Sequence, residues 1–180
     1  MLKNFRTIGA LAFLLSLNCL GRAQSLPTAS ALGYLQVGVG YTYVKPDYGT
    51  QSIAGISGFG DFDIRQHVGV EATFHYASLT TPTNLGENTY LIGPRLVLPR
   101  ERVSFYAKAL FGIGVLNNQA PQFNPGVGGN YFAYTAGGGV DVLVRNHVVV
   151  RAIDLEYQHW DYLTGLTPLA VSVGAAYRFR

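Results

Sequence analysis

Charged side chains are scarce in this sequence, and long apolar runs are missing. Asp, Glu, Lys and Arg make up 13% of the 180 residues, whereas an average soluble domain contains roughly 25%. Beyond the N-terminal segment, no stretch approaches the roughly 18 uninterrupted apolar residues of a transmembrane helix, so a bundle of membrane helices is excluded. Cys19 is the single cysteine, and an internal disulfide framework is therefore excluded as well.

The first 23 residues have the three parts of a secretory signal peptide. Lys3 and Arg6 form a basic start, an apolar segment follows over residues 8–17, and Gly21-Arg22-Ala23 provides small residues for cleavage. Removal of this segment leaves ten basic and ten acidic residues, so the mature chain has no positive excess for binding nucleic acid. The alternative is a lipoprotein acylated on Cys19, but the residues before Cys19 match the small-residue box of such proteins poorly.

Apolar and polar residues alternate in eight segments of the mature chain. In the first segment, Val37 and Val39 lie on one face, and Gln36 and Gly38 lie on the other. A period of two predicts a β-strand, and no segment has a convincing helical period. The predicted strands span 34–43, 53–64, 68–76, 90–98, 105–115, 132–142, 148–160 and 169–179.

The connections between the predicted strands are of two kinds, which alternate along the chain. Three are short and charged, at 65–67, 99–102 and 145–147. Four are longer and rich in Gly, Pro, Asn and Thr, at 45–51, 78–88, 117–130 and 161–167. Short turns at one end and long loops at the other are typical of bacterial outer-membrane barrels.

Alternation alone does not say which face of the barrel meets water. A soluble eight-stranded barrel such as a lipocalin has its apolar residues inside, and a membrane barrel reverses this arrangement. The polar faces here carry mostly small residues and few Lys or Glu, which suits a crowded interior better than a hydrated surface. The apolar faces carry aromatic rings near both strand ends, as in the girdles of membrane barrels: Tyr41, Tyr43, Phe74, Tyr76, Tyr90 and Phe132 toward the long loops, and Phe62, Phe105 and Phe179 toward the short turns.

The sequence therefore predicts an all-β fold, an eight-stranded antiparallel up-and-down transmembrane β-barrel. We expect two regions, a signal peptide at 1–23 and an outer-membrane barrel domain at 24–180. The predicted location is the bacterial outer membrane.

The last strand carries a second signal. Gly174, Tyr177 and Phe179 have the spacing of the C-terminal strand that the outer-membrane barrel assembly machinery reads. Over about residues 33–179 the chain resembles the OmpA-like eight-stranded barrel family. The resemblance is to the transmembrane barrel of that family alone. The stretches that carry this resemblance are Tyr90–Arg95, Tyr106–Gly112, Ala136–Asp141 and Arg151–Tyr157.

Charged residues on the inward faces are the candidate functional residues. An eight-stranded barrel is just wide enough to hold side chains, and a buried charge is costly unless it is paired. We expect a salt-bridge network that plugs the lumen; the alternative is a proton or ion path gated by Arg95 or Lys108. The alternation of inward and outward residues along each strand, which we call its parity, predicts these members: Asp61, Asp63, Glu71, Arg95, Lys108, Asp141, Asp154, Glu156 and Arg178. The excess of acids suggests that Arg151 joins them, although its parity places it outward unless a β-bulge intervenes.

Catalytic and metal-binding patterns are not found. Outer-membrane lipid hydrolases use a His–Ser pair, and no serine is recognised as a partner of any histidine in the sequence. No two histidines share metal-ligand spacing, and Gly137-Gly138-Gly139 lies within a strand, where it cannot form a phosphate-binding loop. We therefore predict no enzyme activity, no cofactor and no metal.

The expected function is a structural or surface-interaction role, similar to that of an adhesin. The expected partners are outer-membrane lipid and lipopolysaccharide, the barrel assembly machinery, and a surface ligand that the sequence does not identify. A narrow pore for small solutes is the alternative function, and a lipid hydrolase is a more distant one.

Overall fold

A computed structural model describes residues 33–47, 51–80, 84–118, 128–161 and 165–179. The predicted signal peptide at 1–23 lies outside these residues. The described residues form eight strands: β1 (Leu35–Lys45), β2 (Ile53–Arg65), β3 (Val68–Thr80), β4 (Leu85–Arg100), β5 (Val103–Asn118), β6 (Gly129–Arg145), β7 (Val148–Trp160) and β8 (Leu169–Phe179).

The strands form a closed antiparallel barrel in sequence order. Each strand pairs with its neighbour in the chain, and β1 pairs with β8 from Leu35↔Phe179 to Lys45↔Leu169. Closure removes the free edges at which an open sheet would expose unpaired backbone groups, which a bilayer does not tolerate. The predicted fold class is confirmed.

The two ends of the barrel differ as the sequence predicts. Two-residue turns at 66–67, 101–102 and 146–147 join strands at one end, which we call the short-turn end, and longer connections lie at the other, the long-loop end. The predicted loop at 78–88 is wrong, because β3 continues to Thr80 and β4 begins at Leu85. The ladder reaches Ala77↔Glu87, and the Ser78 hydroxyl donates to Asn88 Oδ1 at 3.0 Å. The β4 part of this extension, Gly86-Glu87-Asn88-Thr89, has no large apolar side chain, so it lacks the apolar alternation that marks the rest of the strands.

The faces of the barrel confirm the inside-out assignment. Outward side chains are apolar and exposed, as with Val39 and Leu98, whereas inward ones such as Thr42 and Glu71 are buried. No helix among the described residues has the length and hydropathy needed to cross a membrane.

Candidate functional site

Charged side chains from six consecutive strands meet inside the barrel. We call this set the central network, and each member is at most 5% exposed. Its five carboxylates and three basic groups give a formal charge of −2. The members are Asp61 on β2, Glu71 on β3, Arg95 on β4, Lys108 on β5, Asp141 on β6, and Arg151, Asp154 and Glu156 on β7.

Arg151 reaches the lumen because β7 contains a β-bulge. Asp141 pairs with Arg151, but the next pair along the ladder is Val140 with Ile153, so Ala152 is an extra residue. Across β7 and β8 the register shifts at the same place. One inserted residue changes which alternate side chains of the strand point inward. Arg151 and Asp154 therefore both point inward.

The guanidinium of Arg151 lies at the centre of the network. Its nitrogens lie 2.8 Å from Asp61 Oδ2, 3.0 Å from Asp141 Oδ1 and 3.1 Å from Glu71 Oε1. Its carbon Cζ lies 3.6 Å from the centroid of the Phe59 ring, and a cation above an aromatic face is attracted by the ring quadrupole. A planar group with five donors is suited to bridge several carboxylates at once, which a lysine could not do with the same geometry.

Lys108 neutralises a second part of the network. Its Nζ lies 2.7 Å from a carboxylate oxygen of each of Glu71, Asp154 and Glu156. These three carboxylates are close enough together to hold a metal ion. The lysine ammonium already lies within reach of all three, so the cluster has its positive charge without a metal.

Arg95 completes the basic set. It forms ion pairs with Asp61 and with Asp141, the latter at 2.6 Å, and its guanidinium lies 4.2 Å from the centroid of the Tyr106 ring. Gln36 donates to Asp61 at 3.0 Å and extends the network toward β1.

Asp63 and Arg178 lie apart from the central network, at the short-turn end. Arg178 is half-buried and donates to Gln36 Oε1 at 3.2 Å, and its guanidinium lies 4.2 Å from the centroid of the Tyr34 ring. Burial and the neighbouring Asp63 carboxylate raise the pKa of the Tyr34 hydroxyl above its ordinary value. Of the nine residues predicted from the sequence, the structure thus brings seven together and leaves these two at the barrel mouth.

An apolar cluster lies inside the barrel between the central network and the long-loop end. It is centred on Trp160, which is fully buried. An added Cβ on Gly114 would lie 2.6 Å from the Trp160 ring, so the glycine on β5 leaves room for the indole of β7. The other buried members are Leu91, Leu110, Leu116 and Ala133.

A short relay of hydrogen bonds joins this cluster to the charged centre. Trp160 Nε1 donates to Gln158 Oε1 at 3.1 Å, and Gln158 Nε2 donates to Glu156 Oε2 at 3.1 Å. The sequence patterns missed Trp160 and Phe59 as lumen residues. Phe59 has the same position in the alternation as the inward Asp61, and Trp160 has the same position as the inward Asp154 and Glu156, so the sequence contains a usable signal for both.

The histidines require one correction. The sequence analysis recognises no serine beside a histidine, but Ser57 pairs directly with His75 across β2 and β3. His75 Nε2 lies 3.6 Å from Glu156 Oε1, so a serine, a histidine and a carboxylate share this part of the lumen. Ser57 and His75 line a gap beside Arg151 and Asp154 that is too small to hold a water molecule, and His75 is 2% exposed. The group therefore has no room for a substrate in this conformation.

The predicted assembly residues lie on the last strand. The side chains of Tyr177 and Phe179 point outward and are about half exposed, with their ring centroids 4.8 Å apart. An added Cβ on Gly174 would lie 2.5 Å from the backbone oxygen of Val39, so this glycine allows β8 to approach β1 closely.

Comparisons with solved structures show the same fold. Ail of Yersinia pestis, solved in complex with the heparin analogue sucrose octasulfate, is 19% identical over 83% of this chain and 100% of that one, with a TM-score of 0.53. OprG of Pseudomonas aeruginosa is 9% identical over 84% and 98% of the two chains, with a TM-score of 0.58. The N-terminal barrel of Pseudomonas aeruginosa OprF is 11% identical over 82% and 99%, with a TM-score of 0.54.

A comparison of sequences identifies the family. No curated protein matches the chain. The family model described as outer membrane protein beta-barrel domain matches residues 10–179. The chain therefore belongs to the outer-membrane β-barrel family, and its location is the bacterial outer membrane.

Proposed function

We propose that this protein is a structural or surface-interaction barrel whose lumen is closed to solutes. The observation that supports this most is the central network with the Trp160 cluster above it. Arg151 alone pairs with Asp61, Glu71 and Asp141 from three other strands. An ion crossing the lumen would have to displace these buried pairs, and a buried charge left without its partner costs about 3–5 kcal/mol.

The charges at the two ends support an orientation in which the long-loop end faces the outside. The short-turn end carries the exposed arginines Arg65, Arg100, Arg102 and Arg145, whose side chains can reach lipid headgroups at the membrane surface. The connections at the long-loop end, 46–52, 81–84, 119–128 and 161–168, contain no Lys or Arg. Function on barrel scaffolds is concentrated in such loops.

The same charge pattern restricts the surface ligand. Ail is known in complex with a sulfated heparin analogue, and a polyanion is bound through charge-assisted hydrogen bonds from Arg and Lys. Lys45, at the end of β1, is the single exposed Lys or Arg at the long-loop end among the described residues, and the long connections add Asp47 and Asp161. We therefore infer that the ligand is neutral or cationic, and that sulfated glycans are not its partners.

Planar-bilayer recordings test the closed lumen. The wild-type barrel should give no steady conductance. A double variant, Arg95→Ala with Arg151→Ala, should conduct if it still shows the heat-dependent gel shift of a closed barrel. Arg145→Ala, which removes an exposed arginine outside the lumen, is the matched control and should remain silent. A steady wild-type conductance would instead support the alternative, a narrow pore.

Binding and lipid analysis test the remaining parts of the proposal. Cells that display the protein should bind a neutral or cationic surface better than cells lacking it, and heparin should not compete. Overexpression should leave the acyl-chain composition of outer-membrane lipids unchanged. A change that Ser57→Ala abolishes would instead assign hydrolase activity to the Ser57–His75 pair.

A further inference from the structure

The three short turns repeat one sequence motif. Each has an arginine, a polar residue, a second basic residue and a valine: Arg65-Gln66-His67-Val68, Arg100-Glu101-Arg102-Val103 and Arg145-Asn146-His147-Val148. In each turn the arginine ends one strand and pairs with the valine that begins the next strand. The motif therefore occupies equivalent positions at the same end of the barrel.

A β-bulge turns the arginine of the first turn toward the membrane. Along β2, Arg65 has the parity of the inward Asp63, but the register shifts between these two residues, and Arg65 pairs with Val68. Directly opposed residues of an antiparallel pair lie on the same face of a sheet, and Val68 is an exposed residue of the lipid face. The bulge thus moves Arg65 from the lumen face to the lipid face.

The third turn repeats this arrangement, and the second turn does not need it. Beyond Leu143 the register of β6 and β7 shifts, and Arg145 pairs with the exposed Val148. Arg100 lies two residues beyond the exposed Leu98 without a register shift, so it already has the outward parity. β-Bulges commonly re-aim a side chain, and here two of them give the same residue type the same direction. All three arginines that open the short turns therefore lie on the lipid face.

Hydrogen bonds hold each turn against the next hairpin. The His67 carbonyl accepts from the Val97 amide at 3.0 Å, and His67 Nδ1 donates to the Val97 carbonyl at 3.0 Å. The same two contacts join His147 to Arg178, at 2.8 and 3.0 Å. The Arg102 carbonyl accepts from the backbone of β6 at 2.7 Å. The turns are thus fixed before any ligand binds, which lowers the entropy cost of binding.

Four exposed arginines at this end are available to an anion. Glu101 is the only exposed carboxylate at the short-turn end among the described residues. None of the four forms an ion pair within the described ranges of the chain, and a guanidinium presents paired donors that match the oxygens of a phosphate. We call these arginines the basic arc: Arg65, Arg100, Arg102 and Arg145.

The direction of the arginines favours a lipid over a soluble partner. An acidic protein approaching from the water would be bound best by cations around the mouth of the lumen, but the bulges turn Arg65 and Arg145 away from it. A long basic side chain at the end of a lipid-facing strand extends to the headgroups instead. The ammonium of phosphatidylethanolamine would be repelled by the arginines, whereas phosphatidylglycerol carries only the negative charge of its phosphate.

We propose that the basic arc binds the phosphates of anionic phospholipids, one headgroup at each short turn, and so collects these lipids around the barrel. The assignment of the lipids to the inner leaflet rests on the proposed orientation, whereas the binding itself does not. An arginine near an anionic membrane surface contributes about fivefold in affinity, the ratio that corresponds to about 1 kcal/mol.

Electron spin resonance of spin-labelled lipids tests this site. The protein is reconstituted into phosphatidylcholine vesicles that contain phosphatidylglycerol or phosphatidylethanolamine with a spin label on its acyl chain. The motionally restricted fraction of the label measures association, and the wild type should restrict phosphatidylglycerol more strongly. Arg65→Gln should lower the association constant at its turn about fivefold. Lys45→Gln removes an exposed basic residue at the long-loop end and is the matched control, which should keep the wild-type preference.

A triple variant, Arg65→Gln with Arg100→Gln and Arg145→Gln, should lose the preference while keeping the heat-dependent gel shift of a closed barrel. Equal restriction of the two lipids by the wild type would overturn the proposal, as would a folded triple variant that keeps the preference. Displacement of the labelled lipid by dissolved inorganic phosphate would show a site for a free anion instead. Displacement by polyaspartate would show a site for an acidic protein.

These outcomes are separate from those of the proposed function. A conducting wild-type barrel would refute the closed lumen, and cleavage of the short turns on intact cells would refute the orientation. Neither result changes which lipid the barrel restricts in vesicles, so the two proposals fail independently.

Discussion

Replacement of Arg151 by alanine should strongly destabilise the barrel. The Arg151 side chain is 1% exposed and pairs with Asp61, Glu71 and Asp141. Its removal changes the formal charge of the central network from −2 to −3, in a space that holds little water. Removing one partner of a buried ion pair costs about 3–5 kcal/mol. The unfolding equilibrium should therefore shift by about two to four powers of ten.

Urea titration of the protein in detergent micelles measures this change. Trp160 is the only tryptophan and lies in the lumen cluster, so its fluorescence reports unfolding of the barrel interior. Arg145→Ala removes an exposed arginine from β6 and should change the free energy of unfolding by no more than about 0.5 kcal/mol. It serves as the control for loss of an arginine as such.

A double variant separates charge from packing. Asp61→Asn added to Arg151→Ala returns the formal charge of the network to −2. The combined loss should then be smaller than the sum of the two single losses, as expected for interacting sites. If Arg151→Ala were as stable as Arg145→Ala, with the same dependence on urea concentration, the buried network would not hold the strands together. Additive losses in the double variant would refute the pairing itself.

Three further predictions concern packing, orientation and closure. Gly114→Ala should cost about 1–3 kcal/mol in urea titration, because its Cβ would meet the Trp160 ring, whereas Gly60→Ala, where a Cβ has room, should be close to neutral. Proteinase K added to intact cells should cut only in the long connections; cleavage at Arg100 or Arg102 would reverse the orientation. A tagged chain should fractionate with the outer membrane and change gel mobility on boiling, and recovery as a soluble periplasmic protein would contradict the membrane assignment.

The alternation of apolar and polar residues was sufficient to predict the barrel. A strand places successive side chains on opposite faces, so Val37 and Val39 share the lipid face and Gln36 and Gly38 share the interior. The small size of the interior residues then separated a membrane barrel from a soluble one. The family model also matches the sequence itself, over residues 10–179.

The predicted loop at 78–88 shows that the residue pattern of a single segment is not sufficient to locate the ends of a strand. The ends of β3 and β4 at this connection are strands because their backbones pair with each other, as at Ala77↔Glu87. Backbone hydrogen bonds need no apolar alternation, so the alternation pattern does not predict this part of the hairpin.

The composition of the lumen depended on the tertiary structure. A single extra residue, Ala152, reverses the parity of β7 between Arg151 and Asp154 and brings Arg151 inside. The excess of acidic residues pointed to Arg151 in advance, since buried charges require partners, but the position of the bulge did not follow from the local pattern. The pairing of Ser57 with His75 is a product of strand register. Register joins residues from different strands, and it is fixed only when the whole barrel closes.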